Sequence, residues 1–153
     1  MAYEDLIAEP CSIIRPLSVL GDRWTFMLVK EAFDGVRRFD QFRSRLGISR
    51  GRLADRLDRL VEEGVLQLAP YKEGGRSRNE YRLTEKGHDL YPVMLALREW
   101  GDRHMAPHGP PMYYRHAGCG GEVHAHVVCD VCGAEARARE VTPEPGPGMA
   151  PAA

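Results

Sequence analysis

Three of the four cysteines in this 153-residue chain fall in its last quarter, with histidines among them. The runs His116-Ala117-Gly118-Cys119-Gly120 and Cys129-Asp130-Val131-Cys132-Gly133 each set two ligand-type side chains two residues apart and close on glycine. Turns of that kind deliver paired ligands to a tetrahedral zinc ion and leave backbone amides to point at sulfur. The expected set is His116, Cys119, Cys129 and Cys132 around Zn2+. His126 is the reserve nitrogen ligand, since it too precedes a cysteine by three residues, and His124 is less well placed. Four protein ligands leave no position for water, so such a site is structural rather than hydrolytic. The segment around it holds little apolar matter and would depend on metal for stability. The competing reading is a loose tail with three free thiols.

A second chemistry is phosphate recognition by arginine. Arg50, Arg52 and Arg56 are interleaved with Ser49 and Gly51, and further on Lys72, Arg76 and Arg78 surround Gly74-Gly75. Residues 37–82 hold twelve Lys and Arg against seven Asp and Glu, a net of +5, while the rest of the chain carries −6. The formal net charge of −1 therefore conceals a basic module in an acidic frame, and the local field is what a polyanion would meet. A third chemistry belongs to Cys11, which falls near the start of an expected helix. A helix dipole can lower a thiol's pKa and make it a sensor of oxidants or electrophiles; a small buried hydrophobe is the bland alternative.

The elements that must position these groups follow from periodicity. Leu53, Leu57, Leu60 and Val61 share one face of a helix that Ser49 would cap, and Arg52, Arg56 and Arg59 share another face. The preceding helix runs from Asp40, its expected cap, to Leu46, with Gly47 permitting the bend. Two short helices joined in this way form a helix-turn-helix, whose second helix enters the major groove of DNA. After Gly64, Val65–Leu68 and Asn79–Leu83 read as strands around a basic, Gly-rich loop, a wing able to reach the neighbouring backbone. Arg37-Arg38-Phe39 is a weaker third strand.

Upstream, Pro10 suits a first turn, Ile13, Ile14, Leu17 and Leu20 make one apolar face, and Asp22 starts the helix containing Trp24, which is expected in the core. Downstream, Thr84 opens a long helix to about His104. Its stripe Leu90, Val93, Met94, Leu97 and Trp100 has no later core helix to bury it, which points to a homodimer. A two-fold pair would also present two recognition helices to half-sites about one helical turn apart. Val123–Val128 alternates and could be a strand between the two Cys/His turns.

The acidic N-terminus lacks the basic and apolar runs of a signal peptide, and no run approaches the ~18 apolar residues of a membrane span, so the expected address is the cytoplasm without a membrane partner. No nucleophile, base and orienter recur at a plausible spacing, which argues against an enzyme. No internal repeat is evident, and the tail 142–153 is rich in proline and glycine and expected to be disordered.

Several runs together carry a family resemblance: Cys11-Ser12-Ile13-Ile14-Arg15-Pro16-Leu17, Leu20-Gly21-Asp22-Arg23-Trp24-Thr25, Gly35–Phe42, Leu46–Ser49 and Tyr81–Gly87. Over residues 10–104 the chain resembles the HxlR-type winged helix-turn-helix transcriptional regulators. That resemblance implies a homodimer binding an operator in double-stranded DNA, with the first helix and the long C-terminal helix at the dimer interface. It also aligns Cys11 with a sensor thiol found in several members, although Ser12 follows it here where proline often stands. The resemblance does not reach the segment from Met112 onward.

The fold class expected is thus mainly α with a small β-wing: a winged helix-turn-helix over 1–104, a linker at 105–111, a zinc-ribbon-like module at 112–141 and a tail. The function expected is that of a sequence-specific regulator, repressor more readily than activator, answering to an electrophile or small-molecule inducer. Its rival is a protein-binding adaptor that uses the same fold without DNA.

Overall fold

Asp22 anchors the first half of the chain. Its carboxylate accepts the amides of Trp24 at 3.0 Å and Thr25 at 3.1 Å, capping helix α2 (Arg23–Phe33) as the sequence suggests. In the computed structural model, which describes residues 10–149, the chain divides into two units that meet between Tyr91 and Pro92. The acidic run up to Glu9 and the last residues of the tail, Ala150–Ala153, lie outside the described residues. Ahead of α2, helix α1 (Ile14–Leu20) begins later than Pro10 would allow and carries Pro16 in its first turn, where no amide is needed. Cys11 accordingly precedes the helix, its carbonyl accepting from the Arg15 amide.

Helix α3 (Phe39–Leu46) is capped differently from expectation. The Gln41 side-chain oxygen accepts the amides of Arg38 at 3.1 Å and Arg37 at 3.3 Å, so the helix starts before Asp40. These bonds also explain why Arg37–Phe39 is not a third strand. The segment gives the sheet one hydrogen bond, from the Tyr81 amide to the Arg37 carbonyl, and then turns into α3. Gly47 closes α3 at φ 61°, a conformation that side chains rarely adopt, and leads into helix α4 (Arg50–Glu62). Leu53, Leu57 and Leu60 of α4 are fully buried with Leu28, Val29, Phe42 and Leu66 in one core.

Strands β1 (Leu66–Glu73) and β2 (Arg76–Leu83) pair antiparallel, from Leu66 opposite Leu83 to Glu73 opposite Arg76. They are longer than hydrophobicity suggests, so Lys72, Arg76 and Arg78 lie in strands, and the loop shrinks to Gly74-Gly75, both at positive φ. Such a two-residue reversal matches the twist of a hairpin, and only glycine takes it readily twice in succession.

The single long helix expected after the wing is two. Helix α5 (Glu85–His88) is capped by the Thr84 hydroxyl, which accepts from the Gly87 amide at 3.0 Å, and helix α6 (Tyr91–Met105) follows. Pro92 has no amide to continue a ladder from α5 and its ring would collide with the preceding turn, but both defects vanish in a helix's first turn. Among the described residues no helix is long and apolar enough to cross a membrane.

The second unit comprises the remainder of α6 and the segment after it. No strand forms over Val123–Val128; isolated bridges join Arg115 with Glu122 and Val128 with Glu135. Short 3-10 turns follow at Ala138–Glu140 and Pro147–Met149.

Candidate nucleic-acid interface

The N-terminal turn of α4 has no acidic residue, and Ser49, Arg50, Gly51 and Arg52 are all exposed there. Ser49 occupies the cap position without bonding through its hydroxyl, which leaves the first amides of the helix uncapped by that side chain. Such an end carries partial positive charge from its free amides, to which the guanidiniums add theirs. Aromatic rings steer two of these arginines. Arg50 lies over Phe39 at 5.4 Å from the ring centroid, and Arg52 lies over Trp24 at 5.9 Å. Trp24, expected inside, is half-buried and presents a ring face that Arg23 shares at 5.3 Å.

Farther along α4 the arginines turn to the protein. Arg56 is only part-exposed, and its Nε lies 3.1 Å from the Asp22 carboxylate. Burial works to raise the Asp22 pKa, but bonds from the Thr25 hydroxyl and amide, with the Arg56 charge, outweigh it and hold the carboxyl below the usual range. Arg59 donates to the Ser18 carbonyl at 2.8 Å, tying α4 to α1. The three-arginine face read from periodicity thus divides: Arg52 projects, whereas Arg56 and Arg59 brace the fold. Sequence spacing placed them together correctly but could not see Asp22 or the Ser18 carbonyl, which come from elsewhere in the chain.

On the wing Lys72, Arg76 and Arg78 are exposed. Glu73 pairs with Arg38 at 2.7 Å and lies 3.6 Å from Arg78, while Arg38 stacks over Tyr71 at 4.5 Å. Arg38 therefore fastens the wing to the start of α3, a role the sequence did not reveal. Glu31, buried in α2, accepts from Arg45 and Lys30, each at 2.8 Å, and joins α2 to α3. Burial pushes the Glu31 pKa up, but the two cations prevail and its net shift is downward.

The other predicted residues are distributed as follows. The Cys11 thiol has a lowered pKa, chiefly from hydrogen bonding by the Ile14 amide and then the Ile13 amide. On α6, Val93, Leu97 and Trp100 are about half exposed, at 53%, 52% and 55%, whereas Met94 is buried and Leu90 packs partly against the core of the first unit. The expected stripe is narrower than drawn because these last two already have partners within the chain.

In the second unit the His116 Nδ1 sits 3.4 Å from the Cys119 Sγ. Cys129 is paired with Cys132, and its thiol pKa is lowered first by the Cys132 amide, then by that of Val131 and by the Cys132 side chain. These are two separate pairs: among the described residues, no three His, Cys, Asp or Glu side chains are gathered as a metal ion requires. The closed four-ligand set expected from spacing is corrected accordingly. Each pair is held by its own local turn, and neither turn reaches across to the other. His126, the reserve ligand, lies 3.3 Å from Glu135, and His124 lies 3.1 Å from Glu99.

Comparison with known proteins agrees with this geometry. The profile of the family described as HxlR-like helix-turn-helix matches residues 19–109. An uncharacterised HTH-type transcriptional regulator of Mycobacterium tuberculosis (strain ATCC 25618 / H37Rv) is 47% identical over 152 residues, covering 97% of this chain and 96% of its own. The crystal structure of PA1607, a candidate transcription factor, superimposes with a TM-score of 0.78 at 35% identity, over 88% of this chain and 94% of that one. HypR, a redox regulator in its reduced form, matches with a TM-score of 0.56 at 31% identity, over 61% of this chain and 92% of its own. The first two coverages exceed what residues 19–109 can supply, so those likenesses extend into the second unit.

Proposed function

This chain belongs to the HxlR-like helix-turn-helix family of transcriptional regulators, and on that premise we propose that it binds operator DNA as a homodimer and acts as a repressor. The observation that carries the reading is the uncapped, cationic N-terminus of α4, exposed beside a basic hairpin. In this reading the amides and side chains of Ser49, Arg50, Gly51 and Arg52 enter the major groove, while Lys72, Arg76 and Arg78 hold adjacent phosphates. Arg56 acts from behind them through Asp22. The exposed residues Val93, Leu97 and Trp100 of α6 meet their counterparts in a second copy. Cys11 is the sensor, supported by the Ile14 and Ile13 amides that lower its thiol pKa and by the likeness to a redox regulator.

Fluorescence anisotropy on DNA from upstream of the protein's own gene tests this reading. Affinity falls steeply with salt because binding releases counterions from the phosphates and that release is less favourable at higher salt, and Arg52→Ala loses roughly 1–3 kcal/mol. Treatment with a quinone releases wild-type protein from the DNA but not Cys11→Ser. Salt-independent binding, or equal affinity for unrelated DNA at every salt concentration, contradicts the proposal; equal release of both proteins removes Cys11 as sensor.

A further inference from the structure

The far end of the recognition helix borders a cavity of its own. Where α4 closes, the Lys86 ammonium of α5 donates to the Glu63 carbonyl at 2.5 Å, and beside that bond lies a cavity of about 340 Å³. Its floor is hydrocarbon. Val19 and Leu20 come from α1, Val65 from the entry to the sheet and Leu90 from the link between α5 and α6. Val65 is buried and the other three are partly so. Arg15, Lys86 and Glu63 complete the lining with charge, and all of these residues belong to the first unit. A hollow at the small end of the ~300–1,000 Å³ range, apolar inside with a few charged groups placed around it, has the make-up of a small-molecule site.

The charges around this cavity do not cancel. Arg15 is exposed and, among the described residues, has no carboxylate partner, while Lys86 is bonded to a backbone carbonyl alone. Glu63 sets one carboxylate against these two cations and is ion-paired with neither. The surplus is positive. A guanidinium without an anion of its own, beside an apolar hollow, favours a carboxylate over a neutral or cationic molecule of the same shape. The occupant that fits is therefore a small amphipathic organic anion, with one ring or a short chain for a body and a carboxylate at one end.

We propose that this cavity is an effector site for an amphipathic carboxylate, and that its occupancy weakens the hold of α4 on DNA. The second half of the inference rests on the regulator reading above, whereas binding is measured without DNA. Two ties on α4 meet at the cavity. Arg59 donates to the Ser18 carbonyl of α1 at 2.8 Å, one residue before Val19, and Lys86 holds the Glu63 carbonyl where α4 ends. A carboxylate accepting from Arg15 and Lys86 competes with that carbonyl for the ammonium, while its apolar body bears on Val19 and Leu20. Both effects fall on the helix whose opposite end faces DNA. An effector acts only through its different affinities for two states, and the coupling is reciprocal, so bound DNA weakens the acid by the same factor.

The test titrates the full chain, labelled with nitrogen-15, with phenylacetate, 4-isopropylbenzoate and octanoate, and with the neutral amide and the amine corresponding to each. At least one acid is expected to shift the amide resonances of Val19, Leu20, Val65 and Lys86, and to bind about tenfold or more tighter than its amide. Arg15→Met and Lys86→Met lose that preference, and Val19→Phe, which fills the cavity, loses the binding itself; circular dichroism checks that each variant is folded. In anisotropy, the saturating acid weakens the wild-type complex with upstream DNA by about tenfold and leaves that of Val19→Phe unchanged. Three acids without effect on these resonances overturn the proposal, as they would if a second copy covered the cavity; so do amides or amines that bind as tightly as the acids. An acid that binds here without altering DNA affinity overturns the effector role. A protein that fails to bind the DNA when no acid is present sinks the regulator reading instead, and the titration still decides whether the cavity takes a carboxylate.

Discussion

Asp22 illustrates how much a single residue can be asked to do. It caps α2 and holds Arg56 on the recognition helix, so the entry of one helix and a charge on another share one carboxylate. Because its pKa is depressed in the folded chain, the associated stability is present above the ordinary aspartate range and lost as pH falls through the folded value. Asp22→Asn preserves a good cap and removes only the charge. The variant should be less stable at neutral pH by no more than about 1 kcal/mol, since the pair is exposed enough to be screened. The deficit should shrink as pH falls from the ordinary aspartate range through the lower folded value, as protonation removes the same charge from wild type. Thermal melts at several pH values check this, and a deficit independent of pH would show that Arg56 gains nothing from Asp22. At this scale the sequence showed which residues could do chemistry but not which were already spoken for. Arg52 and Arg56 look alike in spacing, and only tertiary structure separates a free guanidinium from a tethered one.

At the scale of elements, the buried faces were legible and the exposed ones were not. Leu53, Leu57 and Leu60 fixed the face and extent of α4 because burial enforces their period. The wing strands run further than hydrophobicity marks because Lys72, Glu73, Arg76 and Arg78 continue the backbone ladder with no apolar side chain to signal it. The two Cys/His turns share hydrogen bonds, from His116 to Gly121 and from Cys129 to Ala134, yet the likeness is faint in the sequence because only Cys, Gly and Glu are identical between residues 114–123 and 127–136. Glycines measure the packing of these elements directly. A Cβ on Gly87 would stand 2.3 Å from the Val65 carbonyl oxygen and 2.9 Å from a Leu83 methyl, where α5 meets the base of the sheet. A Cβ on Gly51 would meet nothing within 4 Å. Gly87→Ala should therefore cost about 1–3 kcal/mol, and Gly51→Ala should add about 0.4–1 kcal/mol by restricting the unfolded chain. Denaturant unfolding monitored by circular dichroism measures both. A Gly87→Ala variant as stable as wild type would mean that α5 does not press on the sheet as described.

For the molecule as a whole, the winged helix-turn-helix was readable because cap, turn, amphipathic helix and Gly-rich hairpin all pointed to the same arrangement. The division of the chain was less so. The sequence suggests a boundary at the end of the long helix, near residue 104, whereas the second unit begins at Pro92 and includes most of α6. Arg98 and Glu99 account for this: they commit the helix to the segment that follows it. The same helix exposes Val93, Leu97 and Trp100, residues at positions i, i+4 and i+7 that share a face. If they pair two copies, the two α4 helices are presented together, and the DNA must carry the imprint of that symmetry. Hydroxyl-radical footprinting of the upstream DNA reads that imprint. Two protected half-sites related by a two-fold axis are expected, about one helical turn or a multiple of it apart, both lost in Leu97→Glu under conditions where that variant remains folded. A single unsymmetrical patch of protection, unchanged in Leu97→Glu, would contradict it.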